Sequence, residues 1–293
     1  MLHLIHNPVA GRGRGRDAAR RTSSLLDQAG IEHRVWTTER PHHATEITSH
    51  LPKDATVVAL GGDGTVHEVA IACADTPRTL GIVPTGSGDD LAHALGLPRG
   101  RIEPAVDALI AGHTRLIDSG ICNDERFVNA VGSGFDAEVG ARVADAPPSL
   151  KDMAAYLWAV FATLREFELA SVRVEADGAL MYEGRSLLVS VLNGPRTGGS
   201  FRFAPNAVLD DGRFDVVVAG GFTRMGTVAI LPRVMLGRHL SHPQVHMAHA
   251  SHVRVSWSAP RVLHMEGEIR AAASELDVRM RPRSLRVLAP PSV

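Results

Sequence analysis

The 293-residue chain has only two cysteines, Cys73 and Cys122, and their spacing matches neither a disulfide framework nor a zinc site. That scarcity points to a reducing cytoplasm. No apolar run approaches the ~20 residues that a membrane-spanning helix needs. The opening residues, Met1 to Asn7, run straight into a strand pattern, so no secretion signal is expected. No charge of one sign dominates: the formal net charge is -1, which gives no global bias toward nucleic acid. Internal repeats and low-complexity stretches are also missing. What remains is 44% hydrophobic and 22% charged, an ordinary globular composition. The length suits one large or two medium domains.

The first ~118 residues alternate strand and helix. Expected strands are Leu2 to His6, Glu32 to Thr37, Ala55 to Leu60 and Thr79 to Val83. Helices are expected over Asp17 to Ala29 with Gly30 as C-cap, His42 to His50, from Val66 onward, Asp89 to Leu95 and Ile102 to Ala111. Alternating βαβ units imply a doubly wound α/β domain, a parallel sheet with helices on both faces. From Arg115 the pattern changes. Short strands are expected at Phe127–Val131, Ser171–Glu175, Ser186–Leu192, Arg213–Val218, His252–Trp257 and Ser284–Leu288, with one helix over roughly Leu150 to Phe167. This reads as an antiparallel β-sandwich domain with a helical insert. The expected division is 1–118 and 119–276, with about 277–293 returning to the first domain.

The run Gly61-Gly62-Asp63-Gly64-Thr65 lies between a buried strand and a helix start. Three glycines expose backbone N–H groups, and the helix N-terminus behind them adds partial positive charge. An aspartate at such a place repels phosphate unless a divalent cation sits between them. Two further turns at matching strand ends carry similar chemistry. The first is Asn7-Pro8-Val9-Ala10-Gly11. The second, Pro84-Thr85-Gly86-Ser87-Gly88-Asp89-Asp90, offers amides, a hydroxyl and two acids before a helix. Asp89 reads equally as an N-cap. Asp118 reads either as part of an acidic cluster or as a solvated turn residue. The pattern suggests a nucleoside triphosphate and a metal.

Together these motifs resemble the diacylglycerol kinase catalytic-domain family in its bacterial branch, along nearly the whole chain. Asn7-Pro8-x-x-Gly11 is similar to the family's first nucleotide loop. Thr37-Thr38-Glu39, with His43-Ala44 beyond, resembles its second, and Gly61 to Thr65 with Glu68-Val69 its hallmark. Pro84-x-Gly86-Ser87-Gly88-Asp89-Asp90 resembles the third, with Asp89 where asparagine is usual. Phe127-Val128-Asn129-x-x-x-x-Gly134-Phe135-Asp136, Asn193-Gly194 and Ala204 to Gly212 resemble its β-domain. The resemblance implies an N-terminal domain like those of NAD kinases and phosphofructokinases, with ATP and magnesium in a cleft between two domains. It implies nucleotide contacts from Asn7, Pro8, Gly11, Thr37, Thr38, Gly61, Gly62, Asp63, Gly64, Thr65, Glu68, Gly86, Ser87 and Asp90. Asp63 would orient Mg2+ through water. A second, structural Mg2+ would take Asp211 and the carbonyls of Val208 and Arg213; a plain Asp-Gly turn is the alternative.

Met265-Glu266-Gly267-Glu268 departs from the family, which usually has Asp-Gly-Glu there. That acid pair is associated with the general base, so Glu268 is the first candidate and Glu266 the second. The expected activity is phosphoryl transfer to a hydroxyl of a membrane lipid, with diacylglycerol foremost. Transient contact with the inner membrane surface follows, with no nucleic acid partner; the oligomeric state stays open, a homodimer included. NAD phosphorylation, or nucleotide binding without turnover, are the alternatives. The helix bearing Met153, Tyr156, Leu157, Val160, Phe161, Leu164 and Phe167 reads as packed on the β-domain core, or alternatively as lipid-facing. Arg12, Arg14 and Arg16 form a small basic cluster. Histidines 239, 242, 246, 249 and 252 have suggestive spacing, but Pro243 breaks any helix that could gather them on zinc.

Overall fold

A computed structural model describes residues 1–291 except 14 and 152. The chain forms two compact units. The first comprises Met1–Ser119, Leu209–Gly212 and Arg281–Val293; the second comprises Gly120–Val208 and Arg213–Met280.

The first unit begins with β1 (Leu2–His6), a one-turn 3-10 helix (Ala10–Gly13) and α1 (Gly15–Gln28). Then follow β2 (His33–Thr37), α2 (His43–His50), β3 (Thr56–Gly61), α3 (Asp63–Cys73), β4 (Thr79–Pro84), α4 (Asp90–Ala94), α5 (Ile102–Ala111) and β5 (Thr114–Cys122), which runs on into the second unit. The strands are parallel in the order β4-β3-β1-β2, with Leu2 opposite both His33 and Thr56. Right-handed crossovers in that order put α1 on one face and α2 with α3 on the other. The chain leaves β1 toward β2 but leaves β3 toward β4. The carboxyl ends of β1 and β3 therefore flank the switch point, the usual ligand crevice of an open α/β sheet. Strand β3 reads Val57-Val58-Ala59-Leu60 with no exposed surface, as a strand covered on both faces must.

The second unit continues with β6 (Glu125–Phe127), β7 (Ala130–Gly134), α6 (Phe135–Val143), α7 (Met153–Glu166), β8 (Ala170–Ala176), β9 (Ala179–Ser186), β10 (Leu188–Leu192), β11 (Phe214–Ala219), α8 (Arg224–Met235), β12 (Val245–Ala250), β13 (His252–Met265) and β14 (Glu268–Leu288). Its antiparallel sheet runs β12-β11-β10-β7-β13-β14, with β8 and β9 added through β13. Strand β13 serves two pairings. Its first half faces β8, its register breaks between Ser256 and Arg261, and its end faces β7. Alternation along the strands separates two cores. Val131, Val189, Val191 and Val216 pack with Val172, Val255 and Trp257 inside the sandwich. Ala130, Leu188, Leu192 and Val217 face the other way, against Val139, Val160, Leu164 and Ile230 of the three helices.

The α/β class and the β-sandwich are as the sequence patterns require, but several elements differ. The expected strand Phe127–Val131 is broken at Val128 and Asn129, whose amides turn aside to a carboxylate. The expected strand Ser186–Leu192 is divided at Leu187, whose amide bonds Ala219 of β11. Helices α6 and α8 were not expected. Helix α8 starts at an N-cap, Thr223, whose hydroxyl accepts from the Gly226 amide, and it carries Pro232 near its end. The stripe on α7 is divided: Val160 and Leu164 are buried, whereas Leu157 and Phe161 are 42% and 54% exposed. The final strand is the end of β14, whose Arg286 and Val287 pair with Thr79 and Leu80 of β4.

Candidate active site

In the first unit, the three glycine-bearing turns gather at the carboxyl ends of β1, β3 and β4. Asn7 opens the first turn as its side-chain oxygen accepts the Val9 amide at 3.0 Å, an Asx turn. Its own amide reaches the Leu60 carbonyl, at the end of β3. Pro8 and Thr37 share a surface hollow between α1 and β2 with His6, Gly13 and Arg16. His6 Nε2 and the Thr37 hydroxyl are 3.0 Å apart, and the Thr38 amide bonds the His6 carbonyl. Gly11 lies in the 3-10 turn. Of the basic cluster, Arg16 is exposed in that hollow; Arg14 lies outside the described residues.

The second and third turns touch backbone to backbone. A Cβ on Gly62 would stand 3.1 Å from the Gly86 Cα, so a side chain at either position would force the turns apart. Asp63 opens α3, and its carboxylate crosses to the other turn. One oxygen accepts the Asp90 amide at 2.7 Å and the other accepts the Asp89 amide at 2.9 Å. The Asp89 carboxylate accepts the Gly86 amide at 2.9 Å, so Asp89 closes its own turn instead of capping α4 by its side chain. Asp89 and Asp90 are both buried, and Ser87 stays exposed between them and Gly86. The first intrahelical bond of α3 runs from Val66 to Gly62. The amides of Asp63, Gly64 and Thr65 therefore precede the helical ladder and face the turn.

Glu68 works one turn further along α3. Its two oxygens accept the His42 and Ala44 amides at 3.0 and 2.9 Å, which caps α2 from a neighbouring helix. That holds the loop after Thr38 against α3. Asp118 corrects the expectation of a solvated turn residue. It is fully buried, and its oxygens accept the Gly212 and Arg283 amides, each at 2.7 Å. It thereby ties together the three chain segments of the unit. Asp210 pairs with Arg115 through two bonds, at 2.9 and 2.7 Å, and this guanidinium holds its carboxyl below the ordinary aspartate value.

In the second unit, three distant motifs meet at one hairpin. Glu266 and Gly267 have φ of 55° and 79° between the paired residues Met265 and Glu268, a two-residue turn of the primed type. The Glu266 carboxylate accepts the Val128 and Asn129 amides at 2.7 and 2.6 Å. Asn193 donates to the Val128 carbonyl, and Asn129 donates to the Arg196 carbonyl. Glu268 is exposed and pairs with Arg270 at 3.1 Å, which also holds Glu125. Of the acid pair, Glu266 anchors backbone and Glu268 faces solvent.

Asp211, Val208 and Arg213 are all exposed around Gly212. Among the described residues, no three His, Cys, Asp or Glu side chains gather as a metal cage would need. The late histidines disperse: His239 to the Phe203 carbonyl, His242 to the Phe222 ring, His246 to the Tyr182 ring, His249 to Asp215 and His252 to Asp277.

Two family descriptions match the chain: "Diacylglycerol kinase catalytic domain" over residues 1–122, and "YegS C-terminal NAD kinase beta sandwich-like domain" over residues 129–289. A diacylglycerol kinase of Bacillus subtilis is 31% identical over 276 residues, covering 90% of this chain and 88% of its own. One from Staphylococcus saprophyticus is 30% identical over 269 residues, covering 90% and 88%. Among solved structures, a diacylglycerol kinase from Bacillus anthracis is similar with a TM-score of 0.76 at 22% identity, covering 99% of this chain and 97% of the other. An NAD kinase from Archaeoglobus fulgidus shares the fold at a TM-score of 0.53 and 11% identity, covering 98% and 93%.

Proposed function

The chain belongs to the diacylglycerol kinase family of lipid kinases, and from that membership we propose that it moves the γ-phosphoryl group of ATP to a hydroxyl of a membrane lipid. Mg2+ is the metal of this reading and diacylglycerol the first acceptor, as the relatives' names have it. The observation that carries the nucleotide is the joining of the Gly61–Thr65 and Gly86–Asp90 turns through Asp63. It leaves the leading amides of α3 outside the helical ladder at a sheet switch point, where an anion would meet them.

Asp63 fits a metal held through water. Each of its oxygens accepts one amide, and an ionised carboxylate has further lone pairs. Mg2+ keeps several of its waters and needs few protein carboxylates when phosphates supply the rest. Bound there it would neutralise charge on the phosphates. The residues of the chain align the turns around it. Glu268 is the first candidate to accept the proton of the attacking hydroxyl, because Glu266 is engaged by two amides. A structural Mg2+ at Asp211 and the carbonyls of Val208 and Arg213 belongs to the same proposal.

No helix among the described residues is long and apolar enough to cross a membrane. In this reading an exposed apolar patch contributes to contact with the lipid surface. Leu157 and Phe161, one turn apart on α7, supply one. The test is phosphate transfer from labelled ATP, with and without Mg2+, to a panel of diacylglycerol, monoacylglycerol, ceramide, sphingoid base, long-chain polyprenol and NAD. Transfer to a lipid that needs the metal supports the proposal. Labelled NADP with no labelled lipid would sink it.

A further inference from the structure

Arginines of the α/β unit share a hollow at the end of the sheet away from the glycine turns. Arg115 is the second residue of β5, and Arg283 and Arg286 lie near the end of β14. With Thr79, Leu116 and Asp210 they line a hollow of about 540 Å³. That volume falls within the range of small-molecule sites, about 300–1,000 Å³. All of these residues belong to the α/β unit. Thr79 opens β4 and Pro84 closes it, so about 17 Å of strand separates the hollow from the third glycine turn.

The backbone bends to bring two of these cations together. Residues three apart on a regular strand point to opposite faces, yet Arg283 and Arg286 line the same hollow. The reversal comes at Arg283, whose φ of 50° lies in the left-handed region that an arginine seldom adopts. The fully buried Asp118 holds it there, accepting the Arg283 amide at 2.7 Å. An irregular residue in a strand re-aims a side chain, and its strain persists only where the surroundings outweigh it. Arg115 gives Nε and one Nη to Asp210, at 2.9 and 2.7 Å. Among the described residues, neither the Arg283 nor the Arg286 guanidinium makes an ion pair or a hydrogen bond, although the Arg283 charge acts on Asp210. Solvation accounts for exposed arginines, but neither for the left-handed residue nor for the shared hollow.

We infer that this hollow is a second anion site, which takes a soluble small molecule carrying a phosphate monoester. Guanidinium forks match phosphate oxygens in pairs. A phosphate monoester carries nearly two negative charges near neutral pH, which suits the two cations that no carboxylate holds. Leu116, 39% exposed, gives the organic part of such a ligand an apolar wall. A flat bilayer meets the rim of a hollow before the cations on its walls, so the occupant is a soluble molecule. Arg115 and Arg283 come from separate stretches of the chain. A ligand that grips both binds only the folded unit and raises its melting temperature.

The test is calorimetric titration of the full chain, without nucleotide, with inorganic phosphate, glucose 6-phosphate, acetate or vesicles of phosphatidylglycerol. Phosphate and glucose 6-phosphate are expected to bind at least ten-fold more tightly than acetate and to raise the melting temperature. Arg283→Gly suits the left-handed backbone. Combined with Arg286→Gln, it is expected to weaken both phosphates at least ten-fold. Each single variant, its fold checked by an unliganded melting curve, is expected to give part of that loss. Phosphate bound at the glycine turns survives these changes, so only the arginine-dependent part counts. Unchanged phosphate affinity in the double variant, or acetate binding as tightly as phosphate, would overturn the inference. So would vesicle binding that needs the two arginines while glucose 6-phosphate binding does not. The readout is binding alone and does not depend on phosphoryl transfer.

Discussion

The Asp63 carboxylate accepts the Asp90 amide at 2.7 Å, across the gap between two turns, from a residue 27 positions along the sequence. The hallmark acid is thus a strut before it is anything else. Asp63→Asn keeps one acceptor but turns an amide NH2 toward the other backbone N–H. Loss of one such buried bond costs about 1–3 kcal/mol. Displacing the turns is expected to cut transfer about a hundredfold. Urea unfolding and steady-state kinetics on one preparation check both; full stability with lost activity would mean that the strut role is unimportant.

The two acids of the hairpin should separate cleanly. Glu266→Ala strands the Val128 and Asn129 amides and is expected to cost about 1–3 kcal/mol. Glu268→Gln touches only an exposed ion pair, so stability should move by less than about 0.5 kcal/mol while transfer falls. Glu266→Asp suits the left-handed turn better but shortens the reach to the two amides. Melting temperature and turnover, measured for all three variants, decide which acid serves chemistry. A Glu268→Gln enzyme with full activity would move the base role to Glu266.

Cys73 and Cys122 should be silent to thiol reagents in the native protein. Burial pushes both thiols up to about 12, helped at Cys122 by Glu125 and Asp277 and opposed at Cys73 by Arg78. At pH 8 neither has appreciable thiolate. A chromogenic disulfide reagent is expected to register both thiols only after denaturant is added; rapid reaction of the folded chain would contradict their burial.

Acid should loosen the fold partly through His239. Burial holds it below the ordinary histidine value, against the opposing bond to the Phe203 carbonyl. Above about pH 6.5 both folded and unfolded states are neutral here. As pH falls below that value the unfolded chain binds a proton that the folded one does not, so stability declines toward the depressed folded value. His3 and His6 shift in the same direction, also chiefly by burial. The urea midpoint should therefore drop between pH 6.5 and 5, and His239→Gln should flatten part of that drop.

The nucleotide-side turns were legible because glycine spacing between a strand and a helix is a local signal. The sequence could not show where the carboxylates point. Glu68 is named for its place beside the hallmark turn, and its carboxylate caps α2. Asp118 looked like a turn or cluster acid, yet it is a buried tie between segments more than 90 residues apart. Both uses depend on amides that are far away in sequence. Helix α6 is masked in the sequence because its start, Phe135-Asp136, coincides with a motif. Helix α8 was hidden by Gly226 and Pro232, and packing outweighs propensity there.

The α/β unit is assembled from three separate stretches of chain, and Arg286 and Val287 supply the strand beside Thr79 and Leu80, between β4 and β5. Synthesis runs from the amino end, so the ribosome releases this strand some 200 residues after the one it pairs with. The unit that begins first is finished last. Until then its β4 edge stays open, and the interrupting β-unit has time to fold while its host waits. Vectorial synthesis therefore tends to ready the β-unit before the α/β unit.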